Sequence, residues 1–79
     1  MTVTISVRLN GPLAERLGHR RTITLPDAAT TSDLLGALRD AAGGALPRVV
    51  TSIGGRIIDP AEPLADGADI AVLVPYAGG

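Results

Sequence analysis

Five consecutive apolar residues, Ile70-Ala71-Val72-Leu73-Val74, restrict the possible folds of this chain more than any other stretch. The run lacks the alternation of a strand with one wet face, so it belongs in the centre of a sheet, covered on at least part of both faces. A last strand in that position must be flanked by strands that come earlier in the chain. The opening segment supplies one. Val3, Ile5, Val7 and Leu9 fall on one face and Thr4, Ser6 and Arg8 on the other, the period of two of a half-buried strand.

Between these two segments the pattern is legible in order. Asn10-Gly11-Pro12 ends the first strand, and Leu13 to Gly18 reads as a short helical turn or ordered loop, with Leu13 and Leu17 sharing a face. Arg20 to Leu25 reads as a second strand, Ile23 and Leu25 inward, stopped by Pro26. The helix signal follows. Thr30 or Thr31 can cap it, Asp33 sits in its first turn, and Leu34, Leu35, Leu38, Ala41 and Ala42 form an apolar stripe. Arg39 and Asp40 face solvent, and Gly43-Gly44 stops the helix. Val49 to Ile53 reads as a third strand, Gly54-Gly55 as a turn, and Arg56 to Ile58 as a short returning strand. Asp59-Pro60 and Glu62-Pro63 mark a loop, and Asp66-Gly67 a turn. The helix must bury its leucines on the sheet. Placing the last strand in the middle, parallel to the first, leaves the least exposed edge. That is an α+β arrangement, the β-grasp or ubiquitin-like fold, with a mixed sheet of four to five strands and one main helix.

Composition narrows the chemistry. A chain of 79 residues is one small domain, and 46% apolar residues are ample for a core. Tyr76 is the only aromatic, so Leu, Ile, Val and Ala must fill that core. There is no cysteine, which excludes disulfides, thiolate catalysis, iron–sulfur clusters and most structural zinc sites. A net charge of -1 gives no bulk attraction to nucleic acid or to an anionic membrane. No run is long enough to span a bilayer and no signal-peptide pattern opens the chain, so a cytoplasmic location is expected. All seven basic residues are Arg, so no side chain here can accept an isopeptide bond. His19 is a solvated loop residue beside Arg20 and Arg21. Asp66 and Asp69 belong to turn chemistry, since two carboxylates alone hold Ca²⁺ weakly. Neither a metal nor a bound cofactor is expected.

The end of the chain is different in kind. After Val74 come Pro75-Tyr76-Ala77-Gly78-Gly79. The division expected is a β-grasp domain over residues 1–74 and a flexible tail over 75–79. Glycine has no Cβ, so such a tail can enter a narrow channel and adopt unusual backbone angles. Five residues, fully extended, span about 17 Å at most. The carboxylate of Gly79 is an anion at neutral pH, with an ordinary pKa of about 3.3–3.7.

Three stretches carry a resemblance that covers the whole chain. Val7-Arg8-Leu9 with Gly11-Pro12-Leu13-Ala14-Glu15 and Leu17-Gly18 is the first. Pro63-Leu64-Ala65-Asp66-Gly67-Ala68-Asp69-Ile70 is the second, and Pro75-Tyr76-Ala77-Gly78-Gly79 the third. Together they resemble the sulfur-carrier proteins of the MoaD/ThiS type, which include the small subunit of molybdopterin synthase. Asn10 stands where that family often has an aromatic residue, and Tyr76 where it more commonly has a small aliphatic one.

The resemblance implies a carrier and cosubstrate rather than an enzyme. An adenylating partner of the ubiquitin-activating type would use ATP to convert the Gly79 carboxylate, presented with Gly78, to an acyl adenylate. A sulfur donor such as a cysteine desulfurase or rhodanese would displace AMP. The resulting thiocarboxylate would pass its sulfur to a synthase subunit, and the Pro-x-Ala-Gly-Gly ending leans towards the molybdopterin type. Partner contacts are expected from Val72, Val74, Pro75, Tyr76 and Ala77, with Tyr76 the anchor. Arg8, Arg20, Arg21, Arg48 and Arg56 are expected on the exposed sheet face as a docking surface. Two alternatives use the same fold: a protein modifier conjugated through Gly79, or an interaction module whose tail is inert.

Overall fold

A computed structural model describes residues 1–75. In chain order the elements are β1 (Thr2–Leu9), α1 (Gly11–Leu17), β2 (Arg20–Pro26), α2 (Thr31–Ala41), β3 (Val50–Ile53), β4 (Arg56–Ile57) and β5 (Asp69–Leu73). They form one five-stranded sheet in the order β2-β1-β5-β3-β4. β5 runs parallel to β1 and antiparallel to β3, and the remaining pairs are antiparallel. This is the mixed β-grasp arrangement read from the sequence, with the last strand in the middle.

Local chemistry explains the elements. The alternation of β1 becomes an alternation of burial: Val3, Ile5, Val7 and Leu9 are in the core. β2 pairs with β1 over its whole length, from Thr2 opposite Pro26 to Arg8 opposite Arg20. The loop between them contains a real helix, α1, which buries Leu13 and Ala14. α2 starts on a capping box. The Asp33 amide donates to Thr30 Oγ1 at 3.4 Å, and the Thr30 amide donates to the Asp33 carboxylate at 2.8 Å. Leu34 and Leu38 are fully buried against the sheet, each contributing about 1.5–3 kcal/mol relative to exposure. The expected stripe needs one correction. Ala41 is exposed, because the helix ends there. Ala42 turns inward instead, and its carbonyl accepts the Arg16 guanidinium at 2.7 Å.

Gly54 and Gly55 have φ of 57° and 84°, the left-handed angles that a two-residue hairpin turn between β3 and β4 demands. Beyond β4 the Ile58 amide still donates to the Thr51 carbonyl at 2.9 Å, and Ile58 is buried. The Asp66-Gly67 turn is stitched to the start of β1. Asp66 accepts the Thr4 amide at 2.7 Å, and the Gly67 amide donates to the Thr4 carbonyl at 2.8 Å. Among the described residues the core is aliphatic apart from Thr31 and Thr51, whose hydroxyls donate to backbone carbonyls of Glu62 and Ile58.

A second correction concerns β5. Ile70 and Val72 are fully buried, but Asp69 and Leu73 are exposed and Ala71 is half-buried. The strand is central, yet both helices pack on the face that carries Ile70 and Val72. The apolar run therefore presents Leu73 on an open face.

Candidate functional site

The site is assembled where β5 leaves the sheet. In the parallel ladder, Leu9 of β1 lies opposite Val72 of β5, and there the β1 backbone turns away into α1. Val74 lies two residues further on and has no strand partner. The Asn10 side chain takes the place of one. The Val74 amide donates to Asn10 Oδ1 at 2.7 Å, and Asn10 Nδ2 donates to the Val74 carbonyl at 3.4 Å. Val74 is half-buried and Pro75, which follows, is exposed.

Around this exit the open face carries the apolar residues that the sequence reading missed. The register sets Val50 opposite Leu73, and Ser52 opposite both Ala71 and Ile57, so all five share one face. Leu73 is 38% exposed and Ile57 73% exposed. A shallow groove of about 400 Å³ at the exit is lined by Pro47, Arg48, Val50, Val74 and Pro75. Parity could have identified Leu73, since it has opposite phase to Ile70 and Val72. Val50 and Ile57 needed the pairing register.

Of the expected partner contacts, Val72 is overturned: it is fully buried under the helices. Val74 and Pro75 stand at the exit. Tyr76, Ala77, Gly78 and Gly79 lie outside the described residues.

The arginine surface is corrected as well. Arg8 and Arg20 are opposite each other on the open face, and Arg8 lies 3.4 Å from the Asp69 carboxylate. Arg21 is opposite Val7, and Arg56 is opposite Ile53, which places both on the other side of the sheet. The Arg56 guanidinium donates to both Glu62 carboxylate oxygens, at 3.1 and 3.0 Å. This hydrogen-bonded pairing holds the Glu62 carboxyl below the usual carboxylate range and raises the pKa of Arg56. Strand alternation puts Arg8 and Arg20 on the open face and Arg21 and Arg56 on the other side of the sheet, while Arg48, in the loop before β3, lines the exit groove.

Among the described residues, no three His, Asp or Glu side chains come together as a metal site, and no helix is long and apolar enough to cross a membrane.

Comparison with known proteins gives a consistent answer. The model of the ThiS family matches residues 7–79. A candidate molybdopterin converting factor subunit 1 from Pyrococcus furiosus is similar in structure, with a TM-score of 0.82 and 21% identity over 94% of this chain and 99% of that one. Small archaeal modifier protein 1 of H. volcanii has a TM-score of 0.79 at 23% identity, again over 94% and 99%. At these identities both show the shared β-grasp fold. Subunit 1 in the complex of molybdopterin-converting factor subunits 1 and 2 from Helicobacter pylori is 26% identical, over 98% of this chain and 100% of that chain, with a TM-score of 0.67. A comparison with curated proteins returned no match.

Proposed function

We propose that this chain, which belongs to the ThiS family, is a sulfur carrier that works through Gly79 and is itself no enzyme. The observation that carries this reading is the exit of β5. A central strand whose Ile70 and Val72 are fully buried runs out to half-buried Val74, which Asn10 holds, and Pro75-Tyr76-Ala77-Gly78-Gly79 follows in sequence. A strand held from both sides is a rigid base for presenting a carboxylate to another protein's active site. Docking then costs little further ordering of the body.

The chemistry requires activation, because a carboxylate oxygen is a poor leaving group. A Gly79 oxygen attacks the α-phosphorus of ATP held by an adenylating partner, and pyrophosphate departs. The terminal sulfur of a persulfide donor attacks the acyl carbon, and AMP leaves with the electrons of the C–O bond. A second thiol cleaves the S–S bond and frees the thiocarboxylate. Glycine at both final positions leaves the acyl carbon open to each attack. A synthase subunit then accepts the sulfur. The pairing of subunits 1 and 2 in the Helicobacter pylori factor supports a molybdopterin-type acceptor. The exposed Leu73 and Ile57, with half-buried Val50, are suited to the body contact, and Arg48 to the rim near the tail.

The test is the intact mass after incubation with an adenylating enzyme, ATP and a sulfur donor. The expected gain corresponds to replacing one oxygen by sulfur, and deleting Gly79 abolishes it while leaving the fold unchanged. Lysine conjugates of other proteins without any such gain would assign the tail to protein modification. No change of either kind would leave an interaction module with an inert tail.

A further inference from the structure

Asn10 occupies the N-cap position of α1, with φ -134° and ψ 172°, yet its side chain makes no capping hydrogen bond. Asparagine is among the best N-cap residues because its oxygen can accept a free amide of the first helical turn. Here both polar atoms go instead to one residue 64 positions away, the oxygen to the Val74 amide and the nitrogen to the Val74 carbonyl. A carboxamide carries the same donor and acceptor as a peptide unit, so it extends the β1–β5 ladder after the β1 backbone has turned away. Val74 is also the last point at which the described fold holds the chain. Pro75 has no N–H to anchor, and proline biases the residue before it towards extended backbone.

We infer that Asn10 is a positioning residue for the tail. It fixes the backbone of Val74 so that the chain leaves the body in one direction, and Gly79 meets the partner's nucleotide without a search at the root. This rests on the carrier reading above. Freeing one residue's backbone, to be ordered again each time the tail inserts, corresponds to about a five- to thirtyfold loss of productive complexes.

The test is ATP–pyrophosphate exchange by an adenylating enzyme of the ubiquitin-activating type, with wild-type chain, Asn10→Ala, Asn10→Asp and Asp66→Ala. Asp66→Ala removes the 2.7 Å bond to Thr4 at the opposite end of β1 and serves as the control for loss of a long-range hydrogen bond. Asn10→Ala is expected to lower kcat about five- to thirtyfold with KM within about twofold, because the body still docks. Asn10→Asp keeps the acceptor for the shorter bond and should recover part of the loss. Asp66→Ala should leave both constants at wild-type values. Native-state amide exchange should show Val74 losing protection in Asn10→Ala while Val72 keeps it. Wild-type kcat in Asn10→Ala, or an equal fall in Asp66→Ala, overturns the positioning role and leaves the carrier reading intact. A wild-type chain that no such enzyme activates overturns the carrier reading and this inference with it.

Discussion

Val72 and Leu73 are neighbours in β5 with opposite fates. Val72 is fully buried beneath the helices, whereas Leu73 is 38% exposed beside Val50 on the open face. One face of the sheet is thus a closed aliphatic core, and the other is an unfinished one. The contrast teaches that burial is assigned residue by residue along a single apolar run. The inner face determines whether the body folds. The outer face, next to the tail exit, has apolar area left for a partner to cover.

The sharpest way to break this contrast is to truncate both faces. Leu38→Ala removes a fully buried side chain that α2 presses on the sheet, and should cost about 2–5 kcal/mol by denaturant unfolding. For a domain of this size that is a large part of the total. Leu73→Ala should cost less than about 1 kcal/mol of folding stability, yet weaken docking to the adenylating or synthase partner at least about fivefold, read by titration calorimetry. If Leu73→Ala unfolds the domain as readily as Leu38→Ala, or leaves partner affinity unchanged, the two faces are not functionally distinct.

Smaller changes sharpen the comparison through the helix that closes one face. Thr30→Ala breaks the capping box of α2 and should cost about 1 kcal/mol, detected as a lower denaturation midpoint with partner affinity unaltered. Ala28 sits at φ 66° in the turn that leads into α2, a strained angle for a residue with a Cβ. Ala28→Gly should raise stability by about 0.5–1 kcal/mol in the same assay, if relief of strain exceeds the added freedom of the unfolded chain. The smallest effect concerns pH. Because Glu62 has its pKa lowered by the Arg56 hydrogen bonds, its contribution is present above the unfolded-state pKa and is lost as pH falls through the folded value. Glu62→Gln should therefore lower the neutral plateau of the stability–pH curve slightly and meet wild type in acid, flattening the acid limb; the effect is small because the pair is exposed. An acid limb that is unchanged in Glu62→Gln would show that the pair contributes nothing.

Much of the fold was legible because its signals are local. The period of two in β1 and the Gly54-Gly55 turn formed as read; the α2 cap fell on Thr30 of the two threonines offered, and the helix stripe held at Leu34 and Leu38. The site was legible only in part. The sequence ending in Gly78-Gly79 identified where chemistry is expected, but Val72 was assigned to the surface and five arginines to one face. Both errors have one cause: hydropathy identifies a strand, whereas the face a residue takes depends on which side the helices cover and on the register of its neighbours. Arg21 falls opposite Val7 and Arg20 opposite Arg8, a shift of one residue that changes the face.

By itself the sequence determined the order of the strands and the main helix, the central parallel strand, the aliphatic core and an ending whose last two residues carry no side-chain bulk. Those follow from periodicity, turn residues and the absence of Phe, Trp and Cys, all of which act over short distances or on the chain as a whole. Only the tertiary structure decided what Asn10 does. Its amide could cap α1, three residues away, or hold Val74, 64 residues away, and the two options use the same atoms. The choice depends on where the end of β5 lies once the sheet is formed, a contact that local propensity does not encode.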